Sequence, residues 1–239
     1  MNKLAYLLIF CAMVLFSCDE ESTTNTEQAR LTFNFTHNWD ETPVTNADFN
    51  DLKFINENGE TLSIERLRYL ISNITLTPSK NEVLNISGYH LVDLNNKESL
   101  LYKTKSLVPE GSYMNLSFTF GFTNEDNLDD AYNDLNAASF DVPDMLGGGY
   151  HYMQLDGKFL NSSSQEQGYN YHAIRAVENP GADPTFPQDT FITVNLGNVT
   201  ISKSSILNIE MNLAEWFKNP NIWDLNEFNQ SLMSNSMAQ

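Results

Sequence analysis

Basic residues and cysteines are scarce in this chain of 239 residues, and each scarcity excludes a class of function. Thirteen lysines and arginines stand against 31 aspartates and glutamates, which gives a net charge of −18 at pH 7. Nucleic-acid binding needs a basic face to meet the phosphates, so we expect no nucleic acid as a partner. The two cysteines, Cys11 and Cys18, both lie near the N-terminus. The rest of the chain therefore has no thiol nucleophile, disulfide or cysteine-based metal site.

Sequence motifs of common enzyme classes are also missing. The chain has no Gly-x-Ser-x-Gly elbow, no His-Glu-x-x-His and no Gly-x-x-x-x-Gly-Lys. Three consecutive glycines, Gly147 to Gly149, are better explained by a tight turn or a close backbone approach before a strand. We therefore expect that the protein is not an enzyme.

A long apolar run occurs only near the start of the chain, at residues 4–16. It is shorter than the roughly 20 apolar residues that cross a bilayer, and with Lys3 before it the run is typical of a secretory signal. The residues 15–18 (LFSC) resemble the lipobox of bacterial lipoproteins, in which the cysteine is lipidated and becomes the new N-terminus. We predict a signal peptide at 1–17 and a lipid-anchored flexible linker at 18–28.

The acidic residues 19–21 (DEE) resemble the surface-export signal of Bacteroidetes lipoproteins, although they also suit any solvated tether. The expected location is the cell envelope, as an outer-membrane lipoprotein on its periplasmic or its exposed face. The expected membrane contact is the lipid anchor at Cys18.

The remainder, residues 29–239, has an apolar period of two and no internal break, which predicts one all-β domain. Many short strands separated by turn signals favour an antiparallel β-sandwich. We expect short helices in the loop 124–138 and from 214 to 234. The predicted strands cover 31–39, 54–55 with 61–64 as a hairpin about Asn58-Gly59, 66–76, 89–94, 113–122, 150–159, 169–175, 191–196 and 206–213.

The acidic segment 124–134 offers many side-chain oxygens, and two interpretations remain open. Calcium takes six to eight oxygen ligands, so a structural Ca²⁺ site is one of them, although the spacing does not match an EF-hand. The simpler interpretation is the start of a helix, with Asn127 as its N-cap and Asp129 and Asp130 in the first turn.

Three histidines lie on predicted strands beside apolar residues. Alternation puts His37 on the face of Phe35 and Trp39, puts His151 on one face with Met153, and puts His172 with Ile174. A buried imidazole needs a partner, and that partner is either a hydrogen bond in the core or a metal. Imidazole with a nearby thioether suits copper, particularly Cu(I). The sequence pattern does not show whether the three histidines meet.

Six blocks of sequence resemble the MbnP-like copper-binding domain family, from about residue 30 to the C-terminus. They are 33–37 (FNFTH), 67–74 (LRYLISNI), 108–113 (VPEGSY), 120–122 (FGF), 149–157 (GYHYMQLDG) and 171–172 (YH). The resemblance implies an exported β-sandwich that takes part in copper handling, and it makes His37, His151 and His172, with Met153, the metal ligands to test.

Related copper proteins bind Cu(I) with histidines and a kynurenine made from tryptophan, and a di-haem MauG-like oxidase often accompanies them. Many family members have tryptophans just after the methionine that matches Met145, whereas here Leu146 and three glycines follow it. Trp39, two residues from His37, is then the remaining candidate for modification.

Three functions follow from these observations. The first is copper capture or transfer outside the cytoplasm, with a di-haem peroxidase-like protein or a TonB-dependent transporter as partner. The second is a non-metal surface lipoprotein that binds a protein or a glycan. The third, an oxidase that uses bound copper, has no sequence feature that marks a substrate pocket.

Overall fold

The computed structural model describes residues 27–230 and 232–239, which form a β-rich fold with little helix. The predicted signal peptide, Cys18 and most of the predicted linker lie outside the described residues. The strands are β1 Gln28–Ala29, β2 Thr32–Trp39, β3 Thr42–Val44, β4 Phe54–Ile55, β5 Thr61–Leu62, β6 Arg66–Pro78, β7 Leu84–Asp93, β8 Leu101–Lys103, β9 Val108–Pro109, β10 Gly111–Phe120, β11 Met153–Leu160, β12 Glu166–Ala173, β13 Ile192–Ile201 and β14 Leu207–Asn212.

The helices are short, as the sequence predicts. The α-helix α1 spans Asn133–Ala137, within the predicted loop. None of the described helices is both long and apolar enough to cross a membrane. The 3₁₀ helices are Asn46–Asp48, Lys97–Leu100, Asp144–Leu146, Leu213–Phe217, Leu232–Ser234 and Ser236–Ala238.

Two sheets carry most of the strands. The larger sheet has eight strands in the order β13-β10-β6-β11-β5-β4, with β7 also paired to β6 and β12 paired to β11. The smaller sheet has four strands in the order β14-β2-β3, with β8 also paired to β2. All of these pairs are antiparallel except β14 with β2, which is parallel. The predicted all-β, antiparallel architecture is therefore confirmed, with one parallel pair that the sequence did not predict.

The core lies between the inner faces of the two sheets. Phe33 and Phe35 of β2 are buried, and the ring of Phe35 meets that of Tyr69 of β6 edge-on, with centroids 6.1 Å apart. From β11, Met153 and Leu155 point into the same core and have no exposed surface. Alternate residues of each strand are thus removed from water, as the period of two requires.

The acidic segment does not start a helix, because α1 begins only at Asn133, so the prediction of Asn127 as an N-cap is wrong. Its side chains instead clamp the glycine turn 147–149 by hydrogen bonds. The Asn127 side-chain oxygen accepts a hydrogen bond from the backbone N–H of Tyr150 at 2.7 Å. The Asp129 carboxylate accepts one from the N–H of Gly149 at 3.1 Å. These side chains satisfy the backbone of the glycine turn, which fixes the chain just before β11.

Candidate metal centre

A row of polar side chains crosses the outer face of the larger sheet. Arg68 of β6 lies directly opposite Gln154 of β11, which in turn lies opposite His172 of β12. Asp156, two residues beyond Gln154, lies on the same face because side chains alternate along a strand. The sequence reasoning missed Arg68, Gln154 and Asp156. The signal that could have found them is the alternation of Gln154 and Asp156 with the apolar residues of β11.

His151 lies beside this row, two residues before β11 begins, and its side chain is buried. Its Nδ1 is 2.9 Å from the carbonyl oxygen of Phe140, which can only accept, so Nδ1 carries the proton. Its Nε2 is buried and has no hydrogen-bond partner among the described residues. A ring that donates one N–H to a backbone carbonyl and keeps its other nitrogen free has the arrangement of a metal-binding histidine.

The charge state of His151 also suits a ligand. Burial lowers its pKa to about 4, and the hydrogen bond to the Phe140 carbonyl only partly opposes this. The imidazole is therefore neutral at pH 7, and the Nε2 lone pair is available without loss of a proton.

His172 is the partner that the fold brings to His151. The two ring centroids are 5.2 Å apart, and the planes are nearly perpendicular at 83°. The Nε2 of His172 is 2.8 Å from a carboxylate oxygen of Asp156, so its N–H donates there and its Nδ1 is left as the available nitrogen. A carboxylate behind a histidine in this way orients metal ligands in many proteins. The His172 side chain is 16% exposed, which leaves a route from solvent.

Asp156 is held ionised at this position. Burial alone would raise the pKa of its carboxyl group, but hydrogen bonds from His172 and Arg66 outweigh burial and hold the pKa below its usual range. Arg66 pairs with the second carboxylate oxygen. A fixed negative charge behind His172 favours a cation in front of it.

His37 and Met153 lie on the other side of the sheet, in the core. The Nε2 of His37 is 3.1 Å from the hydroxyl of Tyr69, so this nitrogen already has a hydrogen-bond partner. Met153 lies opposite Tyr69 in the β6–β11 register. The prediction that His151 shares a face with Met153 is wrong, because β11 starts only at Met153 and the alternation does not extend back to His151.

The remaining candidates have structural surroundings. The indole N–H of Trp39 donates to the carbonyl oxygen of Ile55 at 3.2 Å, and its ring packs on Phe54 and Phe217. The ring of His90 stacks on Tyr102 with centroids 4.3 Å apart. The structure thus unites His151 with His172 and leaves the other predicted residues apart.

Within the described residues, no group of three or more His, Cys, Asp and Glu is arranged to hold a metal. Two imidazoles are too few for a structural zinc site, which has four protein ligands. Imidazole nitrogen also suits copper, and both rings keep a nitrogen free. The donor set therefore fits a copper ion held by two histidines better than a closed zinc site.

Comparisons with known proteins agree with this architecture. The family model described as MbnP matches residues 28–234. Among solved structures, MbnP from Methylosinus trichosporium is similar over 85% of this chain and 79% of that chain, with a TM-score of 0.53 and 11% sequence identity. At that identity the likeness shows a shared fold. A search of curated proteins finds no match. Because the family model covers most of the chain, this protein belongs to the MbnP family.

Proposed function

We propose that this protein binds copper outside the cytoplasm, through His151 and His172, and captures or transfers it. The observation that carries the proposal is the buried Nε2 of His151, which has no hydrogen-bond partner among the described residues and belongs to a ring 5.2 Å from that of a second histidine. An unsatisfied buried polar atom costs about 1–3 kcal/mol, and a ligand that binds at Nε2 would account for this one. Membership of the MbnP family supports copper as that ligand.

Each residue has a distinct role in this proposal. His151 offers Nε2, and His172 offers Nδ1. The Phe140 carbonyl and the Asp156 carboxylate take the opposite ring protons and hold the two rings in place. Copper, proposed as Cu(I), would bind to the lone pairs of these two nitrogens. The protein carries the metal and turns over no substrate.

The setting of this activity is part of the proposal. Signal-peptide cleavage before Cys18 and lipidation of that residue tether the domain in the cell envelope as an outer-membrane lipoprotein. A di-haem peroxidase-like protein and a TonB-dependent transporter are the proposed partners. Conversion of Trp39 to kynurenine and a calcium ion on the acidic segment stay predictions. The Asp129 carboxylate of that segment already accepts the N–H of Gly149.

Metal analysis of the purified protein after Cu(I) loading tests the proposal. The wild type should hold about one copper per chain, and His151→Ala with His172→Ala should hold none. His37→Gln is the matched control, because it also removes a buried imidazole but on the inner face, and it should keep its copper. Equal copper in the wild type and the double variant, or no copper in the wild type, would refute the proposal.

A second function, binding of a protein or glycan without metal, is favoured by one other feature. A cleft of about 390 Å³ near the C-terminus is lined by Tyr171, Trp223 and Phe228, with Asn221 and Glu227 among its polar groups. Aromatic walls with a few polar groups are typical of small-ligand sites. Capture of a glycan or protein that Trp223→Ala abolishes, in a protein whose stability copper leaves unchanged, would favour this function.

A further inference from the structure

Arg68 has an unusual set of partners for an arginine. Its guanidinium donates to the carbonyl oxygens of Ala138 at 2.9 Å and Ser139 at 3.4 Å, and its Nε donates to the Gln154 side-chain oxygen at 3.0 Å. The guanidinium also lies 5.5 Å from the ring centroid of Phe140. All of the hydrogen-bonded atoms are neutral oxygens. The hydrogen bonds therefore hold these groups in place and do not neutralise the charge of the guanidinium.

Gln154 continues this network towards His151. Because its oxygen accepts from Arg68, its NH₂ group points the other way, where it donates to the Ser139 carbonyl at 3.3 Å. The same NH₂ lies 3.4 Å from Nδ1 of His151. Because the proton of Nδ1 goes to the Phe140 carbonyl at 2.9 Å, the longer approach of the Gln154 NH₂ is a packing contact, and the hydrogen bond of that NH₂ goes to Ser139.

The segment 138–140 is held in a strained conformation by these contacts. Ser139 has a φ of +53°, in the left-handed region that costs a residue other than glycine about 1–2 kcal/mol. The carbonyls on either side of its Cα–N bond are those that Arg68 and Gln154 hold. Phe140, the next residue, then directs its carbonyl at His151, at 2.9 Å. The side chains thus offset the strain and help to position the acceptor, which also accepts the backbone N–H of His151 at 3.0 Å.

We propose that Arg68 and Gln154 are positioning residues of the copper site. They fix the segment 138–140 so that the Phe140 carbonyl keeps the proton of His151 on Nδ1 and leaves Nε2 as the free nitrogen of a ring that lies beside His172. This inference rests on the proposed function for its metal, but the protonated nitrogen of His151 is a property of the metal-free protein. The two can therefore fail separately.

The test reads the protonated nitrogen directly, by ¹⁵N NMR of histidine-labelled, metal-free full-length protein. In the wild type, His151 should carry its proton on Nδ1. In Arg68→Met, a substantial fraction should carry it on Nε2, and the dissociation constant for Cu(I) should rise about 10–100-fold, as loss of an outer-shell partner of a ligand does. Arg68→Lys, which keeps a charge and a donor, should be intermediate and serves if Arg68→Met does not fold.

Arg30→Met is the matched control, because Arg30 also donates to backbone carbonyls, those of Thr104 and Lys105, elsewhere in the fold. It should change neither readout. A folded Arg68 variant with the wild-type proton position on His151 would overturn the inference, as would the same change in Arg30→Met. If the wild type binds no copper but the proton of His151 moves in Arg68→Met, the proposed function fails and the positioning role stands.

Discussion

Two buried imidazoles, those of His37 and His151, make the stability of the protein depend on pH. Burial lowers the pKa of each to about 4, against about 6.5 for an exposed histidine. Between these values the unfolded chain binds protons that the folded protein does not. The free energy of unfolding is therefore at its full value, as far as these rings determine it, above pH 6.5. It falls as the pH drops towards 4, by up to about 3 kcal/mol for each ring.

Urea unfolding at pH 7.0, 6.0, 5.0 and 4.5 measures this loss. We expect the metal-free wild type to weaken steadily over that range. His37→Gln combined with His151→Gln should lower the stability at pH 7 but flatten the dependence between pH 6.5 and 4.5. A double variant as steep as the wild type would show that other groups cause the loss.

The sequence singled out histidines as candidate ligands, but it did not predict which of them lie side by side. Composition and pattern make His37, His151 and His172 candidates. Alternation assigns faces only within a regular strand, however, and His151 precedes β11. Its acceptor, the carbonyl of Phe140, comes from a loop whose geometry depends on Ser139 at φ +53°. Contacts between a loop and a sheet have no sequence period, so the pair could not be predicted.

Among the elements, the glycine turn before β11 carries a testable constraint. A Cβ on Gly149 would lie 2.6 Å from the Asn127 side-chain oxygen and 2.9 Å from its carbonyl oxygen, at a φ of +78°. Gly59 has a similar φ of +86° but nothing within 4 Å. Gly59→Ala should lower the free energy of unfolding by only about 1 kcal/mol, the cost of a left-handed backbone for alanine. Gly149→Ala should lower the free energy of unfolding by about 1–3 kcal/mol more, because the added methyl group overpacks against Asn127.

Chemical denaturation of the two alanine variants compares these losses directly, and the shared backbone conformation cancels between them. Equal losses would mean that Asn127 moves aside without cost. In that case the clamp on the turn, through the Tyr150 N–H, would be weaker than the 2.7 Å hydrogen bond indicates.

Strands with strong alternation were predicted well, and their partners were not. β2, β6 and β10 fall within a few residues of the predicted ranges 31–39, 66–76 and 113–122. The three-residue strands β3 and β8 are too short to show a period. The parallel pairing of β14 with β2 joins segments far apart in sequence. A local pattern specifies the buried face of a strand but not the direction of its neighbour.

For the molecule as a whole, one buried carboxylate contributes to the attachment of the C-terminal segment 218–239. Glu60, in the β4–β5 hairpin, is 6% exposed. Its oxygens accept from the side chain of Asn56 at 2.7 Å and from the backbone N–H groups of Leu225 at 3.2 Å and Asn226 at 3.1 Å. A buried carboxylate is tolerated only when hydrogen bonds of this kind compensate for its lost hydration.

Glu60→Ala should therefore release the C-terminal segment before the sandwich unfolds. The backbone N–H of Leu225 and the side-chain NH₂ of Asn226 would lose their acceptor. A loss of about 2 kcal/mol raises the locally open population about 30-fold. Limited proteolysis should cut within 218–239 faster by that factor, since cleavage follows the open fraction when closing is fast. Glu57→Ala, at an exposed position of the same turn, should leave the rate unchanged. Cleavage of the Glu60 variant at the wild-type rate would mean that the other contacts of the segment hold it without Glu60, such as the 5.0 Å stacking of Phe217 on Trp223 and the 2.8 Å hydrogen bond from the Asn170 N–H to the Asn229 carbonyl.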